Sequence, residues 1–563
     1  MRREATPVPE RWSPPGLPAG YRTRLTGRPA GLSELSGLKM SRRVQIYDTT
    51  LRDGAQQEGI SFSLQDKLKI AKKLDELGVH FIEGGWPGAN PKDTLFFEQA
   101  RSLKLESAEL VAFGSTRYRG NSAESDPNLQ ALVAAGTSIC TIVGKSSRSQ
   151  AVSVLEVSPE ENLKMIADSV KFLRSKGKRV FFDAEHFFDG FKEDPEYALE
   201  VVRIAAEAGA EIVILCDTNG GSLPREIKEG VEAASRIGVP LGIHAHNDAD
   251  LAVANTLAAV EAGAIQVQGT INGYGERCGN ANLCSVIPNL KLKMGVDCIP
   301  EEKLRKLTEV SRFVSEIANL PPDPYMPYVG ASAFAHKGGL HISGVGKAEM
   351  SYQHVDPRLV GNEPRILISE LSGISAVLRK AAEMGLELGL EEARGILRKV
   401  KELEKEGFQY ENAEASFELL IRRARPDFRP PFELVDFLAV VEKGRRPALG
   451  GEDILTEAMV KIKVGGEIVH TAAEGNGPVH ALDAALRKAL SRFFPEIEAV
   501  KLIDYKVRII GEGKGTGAKV RVLVESTDGI EEWRTVGCSA NIIEASWMAL
   551  EDSFLYWLLK RRR

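Results

Sequence analysis

Two histidines spaced two residues apart, His244 and His246, stand at the end of an apolar run that begins at Val239. In an extended strand, residues two apart project from the same face, so the two imidazoles point to one place. Imidazole nitrogens are common metal ligands, and the spacing therefore predicts part of a metal site. The alternative, two hydrogen-bonded histidines at a strand end, is left open by the pair alone.

The elements around this pair repeat from Arg43 onward as a short β-branched strand, a polar or glycine-rich turn and a helical segment. The helical segments carry apolar residues at helical spacing, as in 64–78, which ends at a glycine. Eight β-α units in about 250 residues predict a closed parallel (β/α)8 TIM barrel over residues 41–300, in preference to an open doubly wound sheet. The predicted strands are 44–47, 80–83, 110–113, 138–143, 179–183, 211–216, 241–244 and 264–268.

Polar residues follow the carboxyl ends of these strands, where barrel enzymes carry out their chemistry. Strands one, seven and eight become neighbours when a barrel closes. Asp48 or Asp53 is then a candidate oxygen ligand from one side of the histidines, and Asn280 from the other. Such a donor set suits Mg²⁺, Mn²⁺, Zn²⁺ or Co²⁺, and the spacing does not choose among them. Open coordination positions fit a chelating 2-oxo acid, whose ketone the ion would polarise.

Composition and charge exclude several kinds of partner. Apolar residues make up 43% of the chain and charged residues 27%, as in an ordinary globular protein. A net charge of −5 gives no reason to expect nucleic acid or an anionic membrane, and no apolar stretch approaches the roughly 20 residues that span a bilayer. The six cysteines lack C-x-x-C spacing, which predicts free thiols and a cytoplasmic location.

Three further segments flank the predicted barrel. Residues 1–40 are rich in proline, glycine and arginine, and we expect a disordered extension before a working chain that starts near Met40. The arginines of this segment leave an organelle transit peptide open. Residues 301–435 have helical periodicity and predict helical linker subdomains, whereas residues 436–563 contain two β-β-β-α halves and predict an α+β domain. By itself this last pattern indicates only a small-ligand domain.

Three motifs resemble, in this order, those of the α-isopropylmalate synthase, homocitrate synthase and citramalate synthase family, which is related more distantly to HMG-CoA lyase. They are Asp48–Gln56 (DTTLRDGAQ), His244–Asp248 (HAHND) and Gly269–Asn282 (GTINGYGERCGNAN). Within this family, three further segments resemble the long bacterial and archaeal citramalate synthases. These are Glu83–Asp93 (EGGWPGANPKD), Phe182–Phe191 (FDAEHFFDGF) and Phe334–His341 (FAHKGGLH). The similarity runs from about Val44 to the C-terminus.

The resemblance implies a metal site and assigns its ligands. Asp53, His244 and His246 are expected to hold a divalent ion, and Asn280 completes the set as a ligand or through water. Asp48 is then a structural hydrogen-bond acceptor.

The resemblance also implies how substrate is held. Arg52 is expected to face developing negative charge on an enolate or thioester oxygen, where a fixed cation is worth most. Thr218 is expected to bind the carboxylate of the keto acid, although it is equally suited to form a turn. Gln56 is expected to help position substrate.

For catalysis, the resemblance points to Glu185 and His341 together with Arg52. A base must remove a proton from the methyl group of acetyl-CoA, a weak carbon acid. His341 lies beyond the barrel, and in the family this histidine reaches the active site of the partner subunit, which implies a homodimer. Relatives often carry an acid two residues later, but this chain has Ser343, so an acid that orients His341 must come from elsewhere.

The activity implied by the resemblance is condensation of acetyl-CoA with pyruvate and water, giving (R)-citramalate and CoA in a threonine-independent route to isoleucine. The segment 436–563 then resembles the family's allosteric domain, with isoleucine as the expected inhibitor. Trp86 is expected to narrow the pocket toward the methyl group of pyruvate. The alternatives are a 2-isopropylmalate synthase that uses 2-oxoisovalerate, a metal-dependent acyl-CoA lyase and a catalytically inactive scaffold.

Overall fold

The computed structural model describes residues 43–443, 454–510 and 515–561. The N-terminal extension expected over residues 1–40 lies outside these ranges. No helix of the described ranges combines the length and the apolar character needed to cross a membrane.

Eight parallel strands form a closed barrel, as the sequence predicts, and β1 closes it by pairing with β8. The observed strands begin and end within a few residues of the predicted ones. They are β1 (Gln45–Asp48), β2 (Phe81–Gly85), β3 (Glu109–Ser115), β4 (Ile139–Lys145), β5 (Arg179–Glu185), β6 (Ile212–Asp217), β7 (Leu241–Ala245) and β8 (Gln266–Gly269).

Helices follow the strands and cover the outside of the barrel. The first of them shows why the chain folds this way locally: Ser63 and Asp66 form a reciprocal capping box at its start, and Gly78 ends it with a φ of 89°. The helices are α1 (Leu64–Leu77), α2 (Pro91–Ala100), α3 (Pro127–Ala134), α4 (Arg148–Ser153), α5 (Pro159–Ser175), α6 (Phe187–Glu193), α7 (Pro195–Ala208), α8 (Pro224–Ser235) and α9 (Ala252–Ala262).

Apolar side chains fill the barrel on both sides of the sheet. The larger core lies between strands and helices, while a smaller cluster that includes Tyr47, Phe81 and Phe181 fills the barrel interior. Because this cluster occupies the interior, the polar side chains at the carboxyl ends form the floor of a cavity rather than the wall of a pore.

Mainly helical segments connect the barrel to the C-terminal region. They also contain a two-stranded parallel sheet, formed by β9 (Ala335–His336) and β10 (Arg365–Ile366), which the helical periodicity did not predict. The helices are α10 (Leu283–Pro288), α11 (Glu301–Leu304), α12 (Leu307–Ile317), α13 (Gly339–Lys347), α14 (Ile374–Glu383), α15 (Leu390–Glu406) and α16 (Glu414–Arg423).

The C-terminal region consists of two three-stranded antiparallel sheets, each followed by a helix that packs on it, which confirms the two predicted β-β-β-α halves. The first strand begins at Glu433, slightly before the boundary expected at residue 436. The first half contains β11 (Glu433–Lys443), β12 (Ile454–Val464), β13 (Glu467–Gly475) and α17 (Pro478–Leu490). The second contains β14 (Lys501–Ile510), β15 (Lys519–Thr527), β16 (Glu532–Ser539) and α18 (Ile542–Arg561).

Candidate active site

Asp53, His244 and His246 meet at the carboxyl rim of the barrel. The Nε2 atom of His244 lies 3.2 Å from Oδ2 of Asp53 and 3.3 Å from Nε2 of His246. Ligand atoms of the three buried residues lie within 4.8 Å of one another, which is close enough for one metal ion to contact all of them. The three residues predicted as metal ligands thus lie together, and of the two aspartates that the strand-end pattern left open, Asp53 is the one beside the histidines.

Asn280 reaches the same place because the loop after β8 folds back along the end of β7. Its backbone forms an isolated β-bridge with His246, and its Nδ2 donates to the carbonyl oxygen of Tyr274 at 3.1 Å. Its Oδ1 is buried and has no hydrogen-bond partner in the described ranges. Gly275 has a φ of 156°, and a Cβ there would lie 2.1 Å from Nδ2 of Asn280, so the loop requires a glycine. A buried amide oxygen without a partner, on a residue whose backbone pairs with His246, suits a cation ligand.

The electrostatics of the cluster favour the metal-binding forms of Asp53 and His246, but the protonated form of His244. Burial alone would raise the pKa of Asp53, but Arg52 and His244 outweigh it and hold that pKa well below its usual range. Burial and the neighbouring His244 lower the pKa of His246 to about 4, so this imidazole is neutral at physiological pH. Burial lowers the pKa of His244, yet the hydrogen bond to Asp53 outweighs it, and the net pKa is raised.

Asp48 is not part of the cluster. Its two carboxylate oxygens accept hydrogen bonds from the backbone N–H and the hydroxyl of Thr50, at 2.9 and 3.0 Å. Burial raises its pKa to about 7. These contacts are those of a structural acceptor that shapes the turn after β1.

Arg52 is fixed above the barrel interior by two contacts. Its Nε donates to Oε1 of Glu83 at 2.6 Å, and its guanidinium carbon lies 3.8 Å from the ring centroid of Phe113. The other oxygen of Glu83 accepts a hydrogen bond of 2.6 Å from the hydroxyl of Tyr47. A cation held in this way keeps its position when negative charge develops beside it.

Arg52 and the three clustered residues line a cavity of about 230 Å³ together with Thr218, Gln56, Trp86 and Glu185. The hydroxyl oxygen of Thr218 accepts a hydrogen bond of 2.8 Å from the backbone N–H of His186. Gln56 is exposed at the edge of the cavity.

Glu185 ends β5 and lies beside Lys145, which ends β4. The Nζ of Lys145 is 2.6 Å from Oε2 of Glu185. Both residues also line a second cavity of about 690 Å³, which shares Trp86, Val143 and Glu185 with the first.

Two predicted site residues, Asn280 and His341, do not line the cavity at the barrel rim, and His341 lies away from the barrel. It lies on α13, is exposed, and stacks on Tyr352 with ring centroids 4.3 Å apart. It is absent from the residues that line the cavity at the barrel rim. His336 is largely buried nearby, with ring centroids 6.5 Å apart.

Four residues of the site were not predicted from the sequence: Glu83, Lys145, Asp183 and Gln268. The predicted strands end at Glu83, Asp183 and Gln268, and Lys145 lies two residues beyond another, so strand-end polarity was the signal that could have found them. In the structure Lys145 ends β4, whereas the other three lie within their strands.

Sequence models of three known domains match successive parts of the chain. The HMGL-like domain matches residues 43–314, the homocitrate synthase post-HMGL domain-like model matches 328–407, and the LeuA allosteric (dimerisation) domain matches 411–557. The closed barrel and the rim cluster thus define an HMGL-like barrel protein with a LeuA-type C-terminal domain.

Relatives that match more than 90% of the chain identify its family within this class. The (R)-citramalate synthase of Aquifex aeolicus is 53% identical over 525 residues, covering 92% of this chain and 99% of that protein. The (R)-citramalate synthase of Synechocystis sp. is 54% identical over 527 residues, covering 91% and 96%. A probable 2-isopropylmalate synthase of Methanopyrus kandleri is 35% identical over 526 residues, covering 93% and 100%. The chain belongs to the (R)-citramalate synthase family.

Proposed function

We propose that the protein condenses acetyl-CoA with pyruvate and water to (R)-citramalate and CoA, in a threonine-independent route to isoleucine. The observation that carries this proposal is the Asp53, His244 and His246 cluster beside Arg52 in a small cavity at the barrel rim. The high identity to (R)-citramalate synthases over most of the chain supports the same reaction.

Asp53, His244, His246 and Asn280 are proposed to hold a divalent ion, with Asn280 acting directly or through water. Two imidazoles, a carboxylate and an amide oxygen accept Mg²⁺, Mn²⁺, Zn²⁺ or Co²⁺. When bound, the ion supplies a Lewis acid for the ketone of pyruvate.

Thr218 is proposed to bind the carboxylate of the keto acid. Because its oxygen already accepts a hydrogen bond from the backbone of His186, its own hydroxyl proton is left to donate into the cavity. Gln56, at the edge of the cavity, is proposed to close over the substrate from outside.

Glu185 is proposed to act as the base toward the methyl group of acetyl-CoA, and Arg52 to stabilise the enolate oxygen. Lys145 holds the Glu185 carboxylate at the point where the two cavities join. Transfer of the methyl proton to Glu185 gives an enolate whose carbon attacks the ketone of pyruvate. The alkoxide formed from the ketone takes up a proton, and water then cleaves the thioester to release CoA.

The cavity of about 690 Å³ is proposed to receive the body of acetyl-CoA. It meets the smaller cavity at Glu185, so a thioester lying there places its acetyl group beside the proposed base. Arg119, on its wall, is exposed and suits phosphate groups.

A homodimer is proposed to complete the site through His341 of the partner subunit. One edge strand of each C-terminal sheet exposes large apolar side chains, which suits burial against a second copy. They are Val435, Leu438, Val440 and Val441 on β11 and Ile503, Val507 and Ile509 on β14. The match to the LeuA allosteric (dimerisation) domain supports this assembly and a regulatory role, with isoleucine as the proposed inhibitor.

A cytoplasmic location is proposed for the enzyme. All six cysteines are free, and burial is the main cause of a raised pKa in each of the five buried thiols.

The proposal is tested by measuring thiol release from acetyl-CoA with pyruvate, 2-oxobutyrate, 2-oxoisovalerate and 2-oxoglutarate, each with and without isoleucine or leucine. We expect the highest kcat/KM with pyruvate, loss of activity on chelation, and inhibition by isoleucine. Preference for 2-oxoisovalerate would support a 2-isopropylmalate synthase instead. Cleavage of a branched acyl-CoA without condensation would support a lyase.

A further inference from the structure

We infer that Gln268 is a positioning residue that holds a proton of His244 on Nδ1, so that Nε2 is the nitrogen left to bind a cation. The inference rests on the metal site of the proposed function, but it concerns a residue that does not itself reach the ion.

The contacts of Gln268 orient its two amide atoms. Its Nε2 donates to Oδ1 of Asp183 at 3.2 Å, and its Oε1 lies 2.9 Å from Nδ1 of His244. In this orientation the amide turns its N–H groups to the carboxylate and its oxygen to His244. An amide oxygen only accepts, and therefore Nδ1 of His244 must donate. Gln268 is fully buried, so solvent does not compete for these hydrogen bonds.

A proton on Nδ1 makes Nε2 the nitrogen of His244 that can bind a cation. With Nδ1 protonated, Nε2 is the atom that loses its proton when a cation binds, and Nε2 is the atom beside Asp53 and His246. The reverse tautomer would place an N–H in the ligand position. A metal-bound histidine usually donates its second N–H to a partner of this kind, and that partner orients the ring.

The pairing register of β7 and β8 explains why Gln268 contacts His244 and Gln266 does not. Gln268 pairs with His244 across β7 and β8, whereas Gln266 pairs with Gly242. Both glutamines are fully buried on the same face of β8, and within the described ranges the side-chain amide of Gln266 donates to Oε1 of Gln45, at 3.4 Å. Gln266 is therefore a matched control, since it has the same size, burial and strand but no contact with an imidazole.

The test compares Gln268→Leu, Gln268→Glu and Gln266→Leu in the full-length protein. Affinities for Mn²⁺ and Zn²⁺ are measured by calorimetry at one pH, and the imidazole ¹⁵N shifts of His244 are recorded with and without Zn²⁺. We expect Gln268→Leu to weaken metal binding by about 10- to 100-fold and to change the His244 ¹⁵N shifts. Gln268→Glu keeps an acceptor for Nδ1 and should restore most of the affinity, while Gln266→Leu should stay near the wild type.

Two results would overturn the inference. One is metal affinity and His244 ¹⁵N shifts in Gln268→Leu that match the wild type. The other is an equal loss of metal affinity in Gln268→Leu and Gln266→Leu, which would mean that the amide of Gln268 has only a structural role. If the wild-type protein binds neither ion, the proposed metal site fails, and the ¹⁵N shifts of metal-free protein still decide the role of Gln268.

Discussion

Lys145 and Glu185 pair across the carboxyl ends of two neighbouring strands, with Nζ 2.6 Å from Oε2. The lysine fixes the carboxylate at the junction of the two cavities, which is where a base for the acetyl group is needed. We expect Glu185→Gln to lower kcat by about 10²- to 10⁴-fold, the usual contribution of a general base, with little change in KM for pyruvate. Steady-state thiol release measures both parameters.

Lys145→Met is the control for this prediction, because it removes the ion pair and keeps the carboxylate. Its kcat should fall far less than that of Glu185→Gln. Equal losses in the two variants would assign the effect to the ion pair and not to a base.

Metal affinity should increase with pH across the neutral range. Asp53 raises the pKa of His244 above its ordinary value, so the imidazole keeps its proton to higher pH and a cation must displace that proton. Below this raised pKa, affinity should change by up to about tenfold per pH unit, and above it the dependence should disappear. Calorimetric titrations with Mn²⁺ from pH 6 to pH 9 give the slope, and a flat profile would contradict the prediction.

The location of the active-site residues at strand ends can be predicted from local sequence signals. Apolar β-branched runs that end in polar residues predict both the strands and the rim on which His244, His246 and Asp53 meet, because a parallel barrel has only one carboxyl end. The three residues are far apart in the sequence, and only closure of the barrel between β1 and β8 brings them together.

The partners of these residues were not predictable in the same way. Gln266 and Gln268 are indistinguishable by periodicity, since both face inward, and only the pairing register of β7 and β8 places one of them opposite His244. The parallel pair formed by β9 and β10 was missed because its strands have two residues each, too short to show alternation.

Trp86 should set the size of keto acid that the site accepts. Its indole lines the cavity edge-on to Phe113 and is held by a hydrogen bond of 2.8 Å from Nε1 to Oδ1 of Asn128. Trp86→Ala should raise kcat/KM for 2-oxobutyrate and 2-oxoisovalerate relative to pyruvate by about 10- to 200-fold per accommodated methylene. Trp86→Phe keeps an aromatic wall and should shift the ratio much less. Unchanged ratios of kcat/KM among the keto acids would show that Trp86 does not determine selectivity.

His341 should act in the active site of the partner subunit. In one chain it is exposed on α13 and does not line the rim cavity, although the proposed reaction uses it. His341→Ala and Glu185→Gln homodimers should each be nearly inactive. After the two variants are mixed and allowed to exchange subunits, a heterodimer has one site with both residues intact and one with neither.

Equal mixing should therefore restore roughly a quarter of wild-type activity, since half of the dimers are mixed and each has one working site. If His341 acted within its own chain, every site of the mixture would lack one residue and no activity would return. Size-exclusion chromatography with differently tagged subunits establishes that exchange has occurred, so that a failure to recover activity counts against action in the partner's site.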